Sequence, residues 1–351
     1  MHKLSLVFDA VDQCMPHEVA TLRFAAGRLA VLLGMAYDEA DASPGANVGS
    51  YCIPMSTLSF REANALRISD ESQLWGGIAP HEFVATKLVS HPLWRSGSER
   101  PSGWKHIAGI EMLTLPGYSV FTRDDAWSAG RYLLQKGTVR VKCPFMRGGN
   151  GQARIRDVHE LDRWLDAADE VPWGDGLVLE RDLVQSKTYS IGSSNLPGYA
   201  IAYQGTQRNV MDGQGNEVYG GSTLTVFRGS FSTLIKEHCG EPVAVATAYD
   251  SLVRGTYGVL ASRRNYDVIV GVDSCGKRHV GVLEQSWRFG GASMAEVLAL
   301  EWLQRHPGRN DVVAETVELY GAGALPDNAV VFASGGGGSP RKYARIVPDG
   351  Y

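Results

Sequence analysis

Residues 282–293 read VLEQSWRFGGAS. An apolar start is followed by Glu284, Ser286 and Arg288 at alternate positions, which on an extended chain point to one face. A Gly-Gly pair then turns the chain into a helix, SMAEVLALEWLQRH. A core strand would hide that face, so three polar groups in a row mark it for chemistry or for solvent. One step outward, YDVIVGVDSCGKRHVGVLEQSWR reads as a hairpin turning at Cys275-Gly276, with Asp267 on the first strand and Glu284 on the second. An antiparallel hairpin can set two such carboxylates side by side, where they repel unless a cation stands between them. Mg²⁺ takes octahedral oxygen ligands, usually one or two carboxylates with substrate phosphates. Ser286 could add a neutral oxygen, and Arg288 could bind an anionic one. The same residues also read as a Glu284–Arg288 ion pair on a solvated sheet face.

The second informative stretch is TVRVKCPFMRGGNGQARI, residues 138–155. Alternation puts Val139, Val141 and Cys143 on one face of a strand and Arg140 with Lys142 on the other. The loop at 147–152 carries Gly148, Gly149 and Gly151, whose backbone N–H groups could approach phosphate oxygens closely. Lys142 would supply charge beside it. The spacing is not that of a P-loop, and a plain hairpin turn with an exposed lysine fits the same residues.

Around these lie alternating elements. LSLVF (4–8) reads as a strand and 17–33 as an amphipathic helix; Asp41–Gly49 reads as a loop, and no dinucleotide fingerprint follows the first strand. A helix is expected over HEFVATKLVSHPL (81–93). Residues 117–183 read strand, helix, strand, loop, strand, helix, strand, with Thr122 or Asp124 as a cap. Residues 184–230 alternate strands with Gly and Asn turns, a helix is expected over 242–254, and the tail SGGGGSPRKY reads as flexible.

Bulk properties narrow the function. The chain has 351 residues, enough for two or three domains. Its net charge of −4 gives no global drive toward nucleic acid or anionic membrane. No apolar run suits a spanning helix, and the N-terminus reads as a first strand, so a cytoplasmic location is expected. Cys14, Cys52, Cys143, Cys239 and Cys275 are scattered and form no C-x-x-C pair, which argues against a disulfide framework or a zinc site.

Taken together, residues 80–305 resemble the ATP-grasp superfamily of ligases. TVRVKCPFMRGGNGQARIRDVHELDRWLD is similar to that family's lid, GLVLERDL to its hinge strand, and YDVIVGVD…GVLEQSWR to its metal hairpin. The resemblance implies a mixed α/β and α+β fold: a small N-terminal α/β unit (1–80), a mobile lid half (81–183), a metal-binding half with an antiparallel sheet (184–320) and a tail (321–351). It implies ATP and Mg²⁺, with Mn²⁺ as a substitute, and activation of a carboxylate as an acyl phosphate for attack by an amine. Lys142 and the earlier Lys87 would hold phosphates, Gly148, Gly149 and Gly151 would close over them, and Glu180 and Leu183 would flank adenine. Asp267, Glu284 and Ser286 would ligate the metal, and Arg288 would sit by the transferred phosphoryl. Three departures stand out. Ser286 replaces an asparagine, Lys187 stands where many relatives carry a ribose-binding glutamate, and the turn between Asp267 and Glu284 is longer than the family's. The last makes Asp273 the alternative second carboxylate, although beside Ser-Cys-Gly it reads first as a turn residue. The first two motivate a second expectation, a nucleotide-binding protein without turnover; a bicarbonate-using, carboxylase-like enzyme is a third. FGGAS could offer helix N-terminal N–H groups to an anion, and Trp287 could line the substrate pocket or be a core aromatic. The partners implied are small carboxylic acids and amines, with no nucleic acid or membrane, and a homodimer remains open.

Overall fold

The structure is a computed structural model that describes residues 3–8, 16–38, 49–145, 151–167, 173–215, 217–238, 240–321, 323–336 and 339–348. Strand β1 (Lys3–Val7), helix α1 (Pro16–Leu33), β2 (Ala36–Asp38) and β3 (Tyr51–Pro54) make a parallel sheet in the order β2-β1-β3. Both faces of this sheet are covered, which is why β3 is buried at every residue. On α1, Leu22, Ala25, Ala26 and Leu29 recur at three- and four-residue steps and are buried. β4 (Leu58–Ser59), α2 (Phe60–Ala65) and β5 (Gly77–Ala79) follow.

The expected helix over 81–93 does not form. Two short 3-10 turns, Glu82–Ala85 and Lys87–Ser90, replace it, separated by Thr86 in extended backbone. The reason is long-range: Gln285 Nε2 donates to the carbonyls of Val84 and Thr86 at 2.8 and 2.7 Å, and the Thr86 hydroxyl accepts from Leu88 N–H. Pro92 also disfavours helical backbone at His91, which is extended.

The next unit matches the expected order: β6 (Gly117–Val120), α3 (Arg123–Leu134), β7 (Val139–Lys142), β8 (Gln152–Ile155), α4 (Val158–Ala167) and β9 (Leu177–Arg181), with sheet order β6-β9-β7-β8. Thr122 caps α3, its hydroxyl accepting from Asp125 N–H. At the exit of β9, Asp182 is buried and accepts from two strands of this sheet: Arg140 on β7 at 2.6 Å and Arg154 on β8 at 2.8 Å.

β10 (Leu183–Leu196) then enters the large sheet. Gln185 takes a left-handed φ of 49° at the irregularity between Val184 and Lys187. β11 (Tyr199–Met211), β12 (Glu217–Arg228), α5 (Phe231–Glu237) and α6 (Glu241–Tyr257) continue the chain; α5 lacks a counterpart in the sequence reading. β13 (Leu260–Ala261) pairs with β5. β14 (Arg263–Asp273) and β15 (Arg278–Ser286) form the expected hairpin, followed by α7 (Ser293–Arg305), β16 (Asp311–Leu319), β17 (Val330–Ala333) and β18 (Arg341–Ile346). The sheet has eight strands in the order β15-β14-β10-β11-β12-β16-β18-β17, antiparallel throughout.

Among the described residues the tail is therefore not the loose end expected; Gly337 and Gly338 of SGGGGSPRKY lie outside them. β18 pairs with both β16 and β17, and Tyr343 and Ala344 are buried. α1 packs on this end of the sheet and on α7, and Phe24 and Phe332 stand 6.4 Å apart. A chain ended at Ser334 should unfold about 5 °C or more below the full chain, because losing a six-residue strand with its buried Tyr343 removes a few kcal/mol. Thermal unfolding followed by circular dichroism measures this, and an unchanged midpoint would restore the loose-tail reading.

Candidate functional site

The β14–β15 register places Asp267 directly opposite Glu284 and Asn265 opposite Ser286. The alternation read from 284–288 holds, and an irregularity at Leu283 turns Val282 into the core instead. Gln285 and Trp287 face the core, where Tyr249 OH donates to Gln285 Oε1 at 2.8 Å and Trp287 Nε1 donates to Tyr266 OH at 3.1 Å. Glu284, Ser286 and Arg288 are left on the other face, partly open. Trp287 is a core aromatic, packed so tightly against Gly77 that a Cβ there would lie 2.5 Å from its own Cβ.

Glu284 pairs with Lys87 rather than with Arg288: Lys87 Nζ lies 3.2 Å from its Oε2. Lys87 is 5% exposed, and its ammonium also donates to the carbonyls of Cys143 and Pro144 at 3.4 and 3.5 Å. Lys87 thus reaches the two residues that follow Lys142. Arg288 Nη1 donates to the carbonyl of Phe289 at 2.7 Å.

Asp267 Oδ1 accepts from Gln207 Nε2 at 2.7 Å and Asn265 Nδ2 at 2.8 Å, and Tyr203 OH donates to Asn265 Oδ1 at 3.2 Å, which orients the amide. Burial and then the charge of Glu284 push the Asp267 carboxyl up to about 6, against the two amide donors and Arg263. Two carboxylates so placed are short of positive charge, and a divalent cation fits that deficit. Among the described residues no group of three or more His, Cys, Asp or Glu converges. The protein would thus supply two carboxylates and leave other positions to phosphate and water, as suits Mg²⁺.

Lys142 is buried, not exposed, so its removal is no mild surface change. Its Nζ lies 2.6 Å from Glu180 Oε1, while His91 Nε2 contacts Glu180 Oε2 at 3.0 Å. Burial alone would raise the Glu180 carboxyl; the charge of Lys142 and the hydrogen bond from His91 outweigh it and hold the group at about 2. Gly117 makes room for this triad, because a Cβ there would lie 2.8 Å from His91 Nδ1.

The remaining sequence candidates fall as follows. Leu183 is buried at the β9–β10 junction. Gly151 takes a φ of 65°, a left-handed conformation that favours glycine, and its carbonyl accepts from Cys143 N–H at 2.9 Å. Gly148 and Gly149 lie outside the described residues. Asp273 is a turn residue: Oδ1 accepts from the N–H groups of Cys275 and Lys277, and Oδ2 bonds His279 Nε2 at 2.8 Å. Lys187 is exposed, with its ammonium 5.3 Å from the Tyr189 ring centre. At FGGAS, Gly290 N–H already donates to Ser293 Oγ.

Five supporting residues escaped the sequence reading: His91, Gln207, Asn265, Arg263 and Glu296. Arg263 and Glu296 form an ion pair at 2.7 Å with 1% and 0% of their side chains exposed. Arg263 Nη1 also donates to the carbonyls of Ser286 and Arg288, which holds the end of β15 in place. Glu296, in the first turn of α7, accepts from Ser194 and Tyr203. Asn265 could have been found, since N-x-D on β14 repeats the alternate-position pattern of E-x-S on β15. The others announce themselves only through contacts distant in sequence.

The chain belongs to the DUF3182 family, described as a protein of unknown function, whose model matches residues 7–344. No curated protein matches it by sequence. Among solved structures it is similar to N5-carboxyaminoimidazole synthase from Aspergillus clavatus in complex with ADP and 5-aminoimidazole ribonucleotide (TM-score 0.53, 11% identity, 99% of this chain and 94% of that one). It is also similar to biotin carboxylase from Campylobacter jejuni (TM-score 0.54, 8% identity, 98% and 87%) and to D-alanyl-alanine synthetase A from Vibrio cholerae (TM-score 0.52, 10% identity, 88% and 94%). These are ATP-grasp enzymes, and the chain has their fold, as the resemblance in its sequence implied.

The Lys142–Glu180 pair makes a quantitative prediction. Glu180→Gln leaves Lys142 buried without its counter-charge and should cost about 3–5 kcal/mol at pH 7. The folded-state pKa of Glu180 lies below its unfolded value, so the stabilisation is complete above about pH 4.5 and fades as pH falls toward about 2. Urea denaturation of both forms at stepped pH should show a gap that narrows over that window. A gap that is small at pH 7, or constant down to pH 2, would refute the pairing.

Proposed function

We propose that this DUF3182 member is an ATP- and Mg²⁺-dependent ligase that joins a carboxylic acid to an amine or similar nucleophile. The observation that carries the reading is the pair Asp267–Glu284 facing each other across a hairpin, with Lys87 on Glu284 and Lys142 on the strand that enters the glycine loop. The Mg²⁺ held by Asp267 and Glu284 would neutralise charge on the transferring phosphoryl group. Lys87 and Lys142 would bind phosphate oxygens, each releasing part of its present carboxylate contact to do so. Gly148, Gly149 and Gly151 would bring backbone N–H groups over the same phosphates, and residues 180–183 would receive the base. Arg288 would orient the anionic oxygen of the acid. The acid's carboxylate attacks the terminal phosphorus, the phosphoanhydride bond breaks to release ADP, and the nucleophile then displaces phosphate from the acyl carbon. Positioning and charge compensation do most of this work, and residues 81–183 act as the closing half.

Ser286 supports a second reading, nucleotide binding without turnover, because its arm is shorter than the asparagine of the family pattern. Asn265, directly opposite, offers an amide at that rung. The deciding experiment is ADP release from Mg·ATP over a panel of amino acids, small diacids and amines, with products identified by mass. ATP binding with no ADP formed under any mixture would favour the second reading.

With a productive mixture in hand, Glu284→Gln should reduce turnover by about two orders of magnitude or more while weakening nucleotide affinity less, since the lysines and the hinge remain. Rates measured against Mg²⁺ and Mn²⁺ concentration test this. Near-normal turnover with an unchanged metal midpoint would remove Glu284 from the metal site.

A further inference from the structure

Away from the carboxylate hairpin, residues 89–110 wrap a cavity of about 310 Å³ against the end of α6. Arg95, Arg100, Lys105 and His106 line it and no Asp or Glu does, in a chain whose net charge is −4. Its apolar wall is built on Trp104, which stacks on Phe83 at 5.5 Å and meets Phe121 edge-on at 5.6 Å. Arg95 shares its charge with Asp125 at 3.1 Å, and Lys105 Nζ donates to the Thr256 carbonyl at 2.8 Å. Arg100, His106 and the half-buried Trp104 indole N–H have no partner among the described residues. Solvated basic side chains are common on surfaces. A concave site with unspent cationic donors, an aromatic wall and no carboxylate is the arrangement that binds anions with an apolar body.

We infer that this cavity is a binding site for a small organic anion with a flat apolar body. The body lies on Trp104 and the neighbouring aliphatic side chains, and the carboxylate or phosphate meets Arg100, Lys105 and His106. His91 is one of the residues lining the cavity and its ring holds Glu180, which joins the wall of the site to the Lys142–Glu180 pair. Its influence on nucleotide handling rests on the ligase reading; the binding itself does not.

The test is calorimetric titration of the full chain with indole-3-acetate, with tryptamine (the same body carrying the opposite charge) and with inorganic phosphate, each with and without saturating Mg·ATP. Indole-3-acetate should bind, tryptamine and phosphate should each bind at least about tenfold more weakly, and Mg·ATP should not displace the acid. The double variant Arg100→Ala, Lys105→Ala should bind indole-3-acetate about tenfold or more weakly while melting at nearly the same temperature, because both side chains are exposed. Four results would each overturn the site: no binding of indole-3-acetate at millimolar concentration, equal binding of tryptamine, unchanged affinity in the variant, or displacement by Mg·ATP. Absence of nucleotide binding with the indole-3-acetate titration intact would sink the ligase reading alone.

Discussion

The hairpin rung that sets Asp267 against Glu284 is the constraint around which the rest of the site is arranged. Like charges directly across a ladder destabilise a sheet, so the surrounding structure has to absorb the cost. Two amides hold one carboxylate, a lysine from a segment nearly two hundred residues earlier holds the other, and Asp267 still stays raised to about 6. That residual strain is what a structural ion pair would have eliminated. A chain selected only for stability has easier solutions, such as a hydroxyl or an amide at either position.

The support beneath this rung is costly in itself. Arg263 and Glu296 are both withdrawn from water, and buried pairs seldom repay their desolvation. Their return here is positional: the guanidinium that pairs with Glu296 also fixes the carbonyls of Ser286 and Arg288, which ties the first turn of α7 to the end of β15. The Lys142–Glu180–His91 triad does the same on the four-stranded sheet, where the buried carboxylate holds the lysine in place. A lysine fixed in this way has little side-chain entropy left to lose.

What the sequence made legible was whatever depends on local periodicity. The hairpin 266–288 was readable because strand alternation and a turn pair coincide, and the order of elements over 117–183 was readable because helix caps and glycines punctuate it. The segment 81–93 was not. Its apolar spacing suits a helix, but the carbonyls that a helix would use are claimed by Gln285. The tail was misread for a related reason: glycines at 335–338 signal looseness locally, while RKYARI beyond them finds a place between two other strands. The burial of Lys142 was equally hidden, since a strand lysine looks solvated until Glu180 and His91 are known to face it.

That late strand has a bearing on how the chain reaches its native state. Helix α1 packs on β1 and β2, its neighbours in sequence, but also on α7 and β17 far downstream, and among the described residues β17 is joined to the sheet through β18. At cellular elongation rates of about 5–20 residues per second, roughly 15–60 s separate the emergence of α1 from that of β18. For that interval the part of α1 that meets α7 and β17 lacks its cover, while β1 and β2 already pack on the helix. The contacts of α1 thus join the first described strands to one of the last, and the nascent chain carries a partly covered apolar helix that chaperones would have reason to hold until β17 and β18 emerge.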